Sequence, residues 1–225
     1  MPTPELLNSV GSMIAAAGVV GTAAYGLVDT SKMFMGGSSR IGFGAVRTAV
    51  NALLPTHNGA PLSIPDIEAT LYANWINGMS KAEQKSAAKA LIRLCINEAS
   101  AASMARATGL DPKTFTELAR TVTQGSEPSA QQLELLGTFD VIVSAKLDAA
   151  YERGDQLYRN ANKALGAAVA LGLSVIAAPM TASGPDTDWG TAILIGLLAA
   201  PVAPVSKDLS TALTNVVKTL QAARR

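Results

Sequence analysis

The chain has 225 residues, of which 48% are hydrophobic and only 16% charged, with a formal net charge of +1. Soluble domains carry about 25% charged residues, and a nucleic-acid binder needs a basic excess to offset phosphate; the near-neutral balance argues against a nucleic-acid partner. One cysteine, Cys95, and one histidine, His57, exclude an internal disulfide framework and a His/Cys metal cluster.

Charge is segregated along the chain. Every Lys and Arg lies between Lys32 and Lys163 or between Lys207 and Arg225. The basic-free stretches contain three runs with no charged residue at all: 6–28, 164–185 and 189–206. A helix needs about 20 apolar residues to cross the hydrocarbon core of a bilayer, so each run is close to a span in length. This pattern predicts an all-α integral membrane protein with three transmembrane helices and a cytoplasmic helical bundle. The predicted division is a first transmembrane helix at 1–30, a cytoplasmic helical domain at 31–160, a transmembrane hairpin at 161–206 and a C-terminal amphipathic helix at 207–225.

The first run follows Met-Pro-Thr-Pro-Glu, which lacks the basic start of a cleaved signal peptide. It is therefore read as a retained helix. Gly18, Thr22 and Gly26 recur in it every four residues, a spacing that lets helix backbones approach closely.

From 29 to 163 the pattern is helical throughout. A turn at 36–39 precedes a stretch, 40–54, with Ile41, Phe43, Val46, Val50, Leu53 and Leu54 apolar. That stretch reads either as an interfacial helix on the inner leaflet or as an amphipathic connector. A breaker-rich loop at 55–65 holds His57, and a short helix follows at 66–77. Ser80 and Glu83 form a capping box that opens a helix over 81–106, with Ala88, Leu91, Ile92, Cys95, Ile96 and Ala99 along one stripe and Gly109 as its stop. Asp111 caps the next helix, which has Pro112 in its first turn. After a break at 125–128, no strong stop appears between Ser129 and Pro179. Leu133, Leu136, Val143, Leu147, Tyr151 and Leu157 mark one face of a single long helix that leads into the second apolar run, with Gly137 and Gly154 weakening it modestly. A rigid helix of this kind would fix the cytoplasmic domain relative to the membrane.

The second run repeats small residues at Gly166, Ala170, Ser174 and Ala178, and the third at Ala192, Gly196 and Ala200. The two are joined by an acidic turn with Gly184, Pro185, Asp186 and Asp188. The positive-inside rule then places the N-terminus outside and the C-terminus in the cytoplasm, with Trp189 at the outer interface. Pro201 and Pro204 predict a kink near the inner end. Leu209, Leu213, Val216, Val217 and Leu220 give the last segment an apolar stripe suited to a membrane surface or a neighbouring helix.

No Asp, Glu, Lys, Arg or His lies in a predicted span, which argues against a proton-coupled transporter. His57 has no nucleophile motif near it, and Gly36-Gly37-Ser38-Ser39-Arg40 lacks the phosphate-loop spacing. No catalytic residue, cofactor or metal is expected, and Asp186 and Asp188 are expected to be solvated. The expected function is a structural or assembly subunit of a membrane complex, not an enzyme, with the lipid bilayer and further copies of itself as partners. Two alternatives are an oligomeric pore lined by Ser9, Ser12, Thr22 and Ser174, and an accessory anchor that docks a cytoplasmic protein partner. The Ala/Gly-rich composition and topology point to a bacterial inner membrane.

Overall fold

The structure is a computed structural model that describes residues 4–54, 61–181 and 187–202, with backbone alone for 4–7, 31–35 and 181. The elements are α1 (Pro4–Met35), α2 (Gly37–Leu53), α3 (Ile64–Ile76), α4 (Lys81–Leu94), α5 (Glu98–Thr108), α6 (Pro112–Thr123) and α7 (Ala130–Thr181). A further apolar helix, α8, covers Trp189–Val202. No strand occurs among the described residues. The chain is all-α and divides into two compact units: Ser39–Tyr158, and Met1–Ser38 with Arg159–Arg225. The division passes through α7, whose helical hydrogen bonding continues over 52 residues, with Pro179 in its last turn.

In the unit Ser39–Tyr158 local signals start and stop the helices. Ser63 accepts from the Asp66 amide at the head of α3. The Ser80–Glu83 capping box opens α4. Asp111 accepts from the Thr114 amide and holds Pro112 in the first turn of α6. Gly109 closes α5 at φ 73°, a left-handed conformation that only glycine adopts cheaply.

The continuous helix expected over 81–106 is broken. Cys95 is the C-cap of α4, and α5 starts afresh at Glu98. The cause is Asn97, whose side-chain oxygen accepts from the amides of Ala99 and Ser100 at 2.9 Å each. Ser100 closes the box by accepting from the Asn97 amide and donating to the Cys95 carbonyl at 2.6 Å. Such short polar side chains offer the backbone an alternative to the helical ladder, and α5 packs on α6 after the chain turns at Gly109.

The core of this unit is made of large side chains: Tyr151, Phe115, Phe139, Leu53, Ile67, Leu71 and Ile92 are almost wholly buried. Phe115 of α6 meets Phe139 of α7 at a ring separation of 4.9 Å. The apolar face of α2 (Phe43, Val46, Val50 and Leu53) joins this core. α2 therefore spends that face on protein, and the reading of it as an interfacial helix does not hold.

Two features lock α7 to its neighbours in this unit. Gly42 of α2 and Gly154 of α7 cross in direct contact: a Cβ on either would stand 2.8 Å from the other's carbonyl oxygen, with the Trp75 ring beside both. Gly154 is thus a close-approach residue, which offsets its low helix propensity. On another face of α7 an antiparallel ladder of ion pairs runs to α4. Lys81 reaches Glu152 and Asp155 at 3.1 Å each, Lys85 pairs with Asp148, and Lys89 and Arg93 flank Asp140 at 3.6 and 3.4 Å.

Candidate functional site: the small-residue faces of α1, α7 and α8

The second unit is built differently. Its core is Ala17 and Ala24 of α1, Ala170 of α7 and Ala199 of α8, with Val20, Val169, Leu173 and Ile195 packed against them. Small side chains set the helix spacing. A Cβ on Gly196 would stand 2.9 Å from Leu171 Cδ2 and 3.0 Å from Leu171 Cα, and would also collide with the Ser174 hydroxyl. A Cβ on Gly21 would stand 2.9 Å from the Ala199 carbonyl oxygen and 3.0 Å from Val202 Cβ. α8 therefore packs on α7 through Gly196 and on α1 through Gly21.

The structure brings most of two predicted ladders together. Gly166, Ala170 and Ser174 of α7 are buried, as are Ala192 and Gly196 of α8, and Ala200 is half-buried. The α1 ladder is placed elsewhere. Gly18 is half-buried, Thr22 and Gly26 are exposed, and no described atom lies within 4 Å of a Cβ on Gly18 or Gly26. The contacting face of α1 is instead Ala17, Gly21, Ala24 and Val28. The signal for it was in the sequence: these residues follow 4-3-4 spacing, which stays on one face, whereas successive steps of four drift around a 3.6-residue helix.

The outer surface of this unit is large and apolar. Val19 is 72% exposed, Ile176 65% and Met180 82%, and Ile14, Leu27, Ile193, Leu194, Leu197 and Leu198 are also exposed. By length and composition two helices are able to cross a membrane, with windows at Asn8–Thr30 and within Ala130–Met180, and only 17% of each window is buried. The described part of α8 rises only about 21 Å at 1.5 Å per residue, less than the roughly 30 Å of a hydrocarbon core. A third crossing helix is therefore not present among the described residues.

Most polar groups here bond within their own helix. Ser12 donates to the Ser9 carbonyl at 2.8 Å, Thr22 to Gly18 at 2.9 Å and Ser174 to Leu171 at 2.9 Å. Ser38 donates to Asn162 Oδ1 at 2.6 Å. Asp188 is the N-cap of α8: it accepts from the Thr191 amide at 3.0 Å and from the Thr191 hydroxyl, and these bonds hold its carboxyl below the usual range. That capping role was missed, although Asp188 and Thr191 at a spacing of three, just before an apolar run, signal it.

Two titratable groups of the other unit are shaped by burial. Burial alone raises the Cys95 thiol above its ordinary value, the reverse of what a reactive thiolate needs. Burial pushes the Tyr151 phenol to about 12, and its hydroxyl donates to the Gln84 carbonyl at 3.3 Å. No cluster of three His, Cys, Asp or Glu side chains that could hold a metal occurs among the described residues. His57, Asp186, Ser206, Pro204 and the 207–225 segment lie outside the described residues. No protein-family model, no curated protein and no solved structure matches this chain.

Proposed function

We propose that this chain is a structural or assembly subunit of a membrane protein complex, held in the bilayer by α1, the C-terminal part of α7 and α8, and associating with further copies of itself. The observation that carries the reading is the inverted sorting of side-chain size. Alanine and glycine make up most of the inside of the unit, with Val28 among them, while Val19, Ile176, Met180 and Leu197 face outward. In water, that surface would form an apolar patch of a kind that soluble monomers rarely expose. In lipid it costs nothing, and packing between helices falls to close van der Waals contact across small residues.

A second face of α1 supports self-association. Gly11, Ala15, Gly18, Thr22 and Gly26 are exposed or half-exposed along one side, and a Cβ on Gly11, Gly18 or Gly26 would meet no described atom. The Thr22 hydroxyl bonds back to its own helix, so the face can be dehydrated at low cost. The other small-residue faces are already used within the chain. The pore reading draws less support, since Ser12, Thr22 and Ser174 all donate to their own helices.

Native mass spectrometry of the detergent-extracted chain tests this. Wild type should give a defined oligomer, and Gly18→Leu with Gly26→Leu should lower the copy number while leaving the chain in the membrane fraction. A monomeric wild type sinks the assembly reading. Single cysteines at Thr187 and Ser126, in a Cys95→Ser background, should label from opposite sides of the membrane; labelling from one side would remove the proposed topology.

A further inference from the structure

The unit Ser39–Tyr158 contains an open groove of about 530 Å³ between α2, α5 and α7. That volume lies in the range of small-molecule sites, about 300–1,000 Å³. Ala45, Ala49, Leu53 and Ala150 line it with hydrocarbon. Its polar side chains are three: Thr48, Lys146 and Arg153. The Thr48 hydroxyl donates to the Gly44 carbonyl of its own helix at 2.8 Å, which leaves the two cations as the polar recognition elements.

Charge on α7 is sorted by face. Asp140, Asp148, Glu152 and Asp155 are paired with the cations of α4. Lys146 and Arg153 project to the groove side instead and have no ion-pair partner among the described residues. They stand seven residues apart on one helix, about 10 Å along its axis. No carboxylate lines the groove.

We infer that this groove is a binding site for an anionic phospholipid, with one acyl chain on the alanine and leucine floor and the phosphate between Lys146 and Arg153. The ligand class follows from complementarity. A sugar phosphate or nucleotide would set hydroxyls and ring nitrogens against a hydrocarbon floor that offers them no partner. A free anion would leave the apolar floor unused. The chain's own C-terminal segment is the wrong sign, with Lys207, Lys218, Arg224 and Arg225 against Asp208. The site is separate from the small-residue faces of α1, α7 and α8 and does not depend on the assembly reading.

The test is native mass spectrometry of the full chain in detergent, titrated with phosphatidylglycerol or phosphatidylcholine. The expected result is preferential retention of one phosphatidylglycerol. Lys146→Gln with Arg153→Gln should weaken that retention about thirtyfold, each cation being worth about fivefold against anionic lipid. Ala149→Trp, an exposed groove position, should block the lipid while both cations remain. Lys113→Gln on α6 should change nothing, and circular dichroism should confirm that all variants stay helical. Unchanged phosphatidylglycerol retention in the double variant overturns the proposal. So does full competition by glycerol phosphate alone, which would reduce the site to a headgroup contact. Tighter binding of an acidic amphipathic peptide than of phosphatidylglycerol, lost in the double variant, would also overturn it and assign the groove to a protein partner. Oligomer size is read in the same spectra, so failure of the assembly reading is seen separately.

Discussion

The two units of this chain differ in the largest side chains they bury. In Ser39–Tyr158 the largest buried side chains include Tyr151, Phe115, Phe139, Leu118 and Leu147, and Lys81, Lys85 and Arg93 lie outside in ion pairs. In the unit of α1, α8 and the C-terminal part of α7, the buried hydrophobic residues are Ala17, Ala24, Val28, Ala170, Ala192 and Ala199, and most of the large aliphatics lie outside or are only partly buried. Fully burying a Leu or Phe side chain away from water stabilises by about 1.5–3 kcal/mol. An alanine methyl gives much less. The first unit therefore has the core that water drives together, and the second has the packing expected where the solvent is itself apolar.

The comparison can be broken most forcefully by truncating one large residue from each unit. Phe115→Ala removes the ring packed at a tilt against Phe139 and should cost about 3–5 kcal/mol. Leu197→Ala, on the exposed face of α8, should stay within about 0.5 kcal/mol in detergent. Denaturant unfolding followed by circular dichroism measures both, and comparable costs would erase the distinction between the two cores.

A buried polar group sharpens it next. The Tyr151 phenol is held near 12 by burial, above its ordinary 10. Below pH 10 both folded and unfolded chains carry the neutral phenol, and stability is at its full value. As pH rises from 10 to 12 the unfolded chain ionises first and stability falls, by about 2–3 kcal/mol over two pH units. Comparing wild type with Tyr151→Phe across that window cancels the lysines that titrate in both. A wild-type alkaline loss no larger than that of Tyr151→Phe would mean that the phenol is not shielded as described.

Smaller effects should separate the two faces of α1. Gly21→Leu and Gly196→Leu drive a side chain into Ala199 and Leu171 and should destabilise by about 1–2 kcal/mol in detergent. Gly18→Leu points where no described atom lies and should leave the thermal stability of the single chain unchanged, altering copy number instead. Equal thermal shifts at Gly18 and Gly21 would contradict the assigned packing face. The smallest effect belongs to the ion ladder. Asp148→Asn at the exposed Lys85 pair should cost about 0.2–1 kcal/mol, and added salt should shrink that difference.

Helix starts and stops were largely legible, because a cap is a local event. Ser80 with Glu83, Asp111 with Pro112, and Gly109 all do what their spacing implies. The Asn97 break was hidden because an apolar stripe runs through it, and a stripe reports burial rather than continuity. The ion ladder was half legible. Lys81, Lys85, Lys89 and Arg93 stand four apart in plain view, but Asp140, Asp148, Glu152 and Asp155 become their partners only once α4 and α7 pair across more than 40 intervening positions. The small-residue pattern marked that helices would pack closely. It did not say which face of α1 would be used, because glycines and alanines occur on both and only the three-dimensional partner selects one.

The Gly42–Gly154 crossing has a practical consequence. Trp75 lies with its ring carbons 2.9 and 3.4 Å from where Cβ atoms on those glycines would sit, and the chain has only two tryptophans. Replacing Trp189 with Phe would leave a single indole over the place where α2 and α7 come closest. Its emission wavelength and lifetime would then report, without any attached dye, whether those two backbones stay in touch when the chain meets detergent, lipid or another copy of itself.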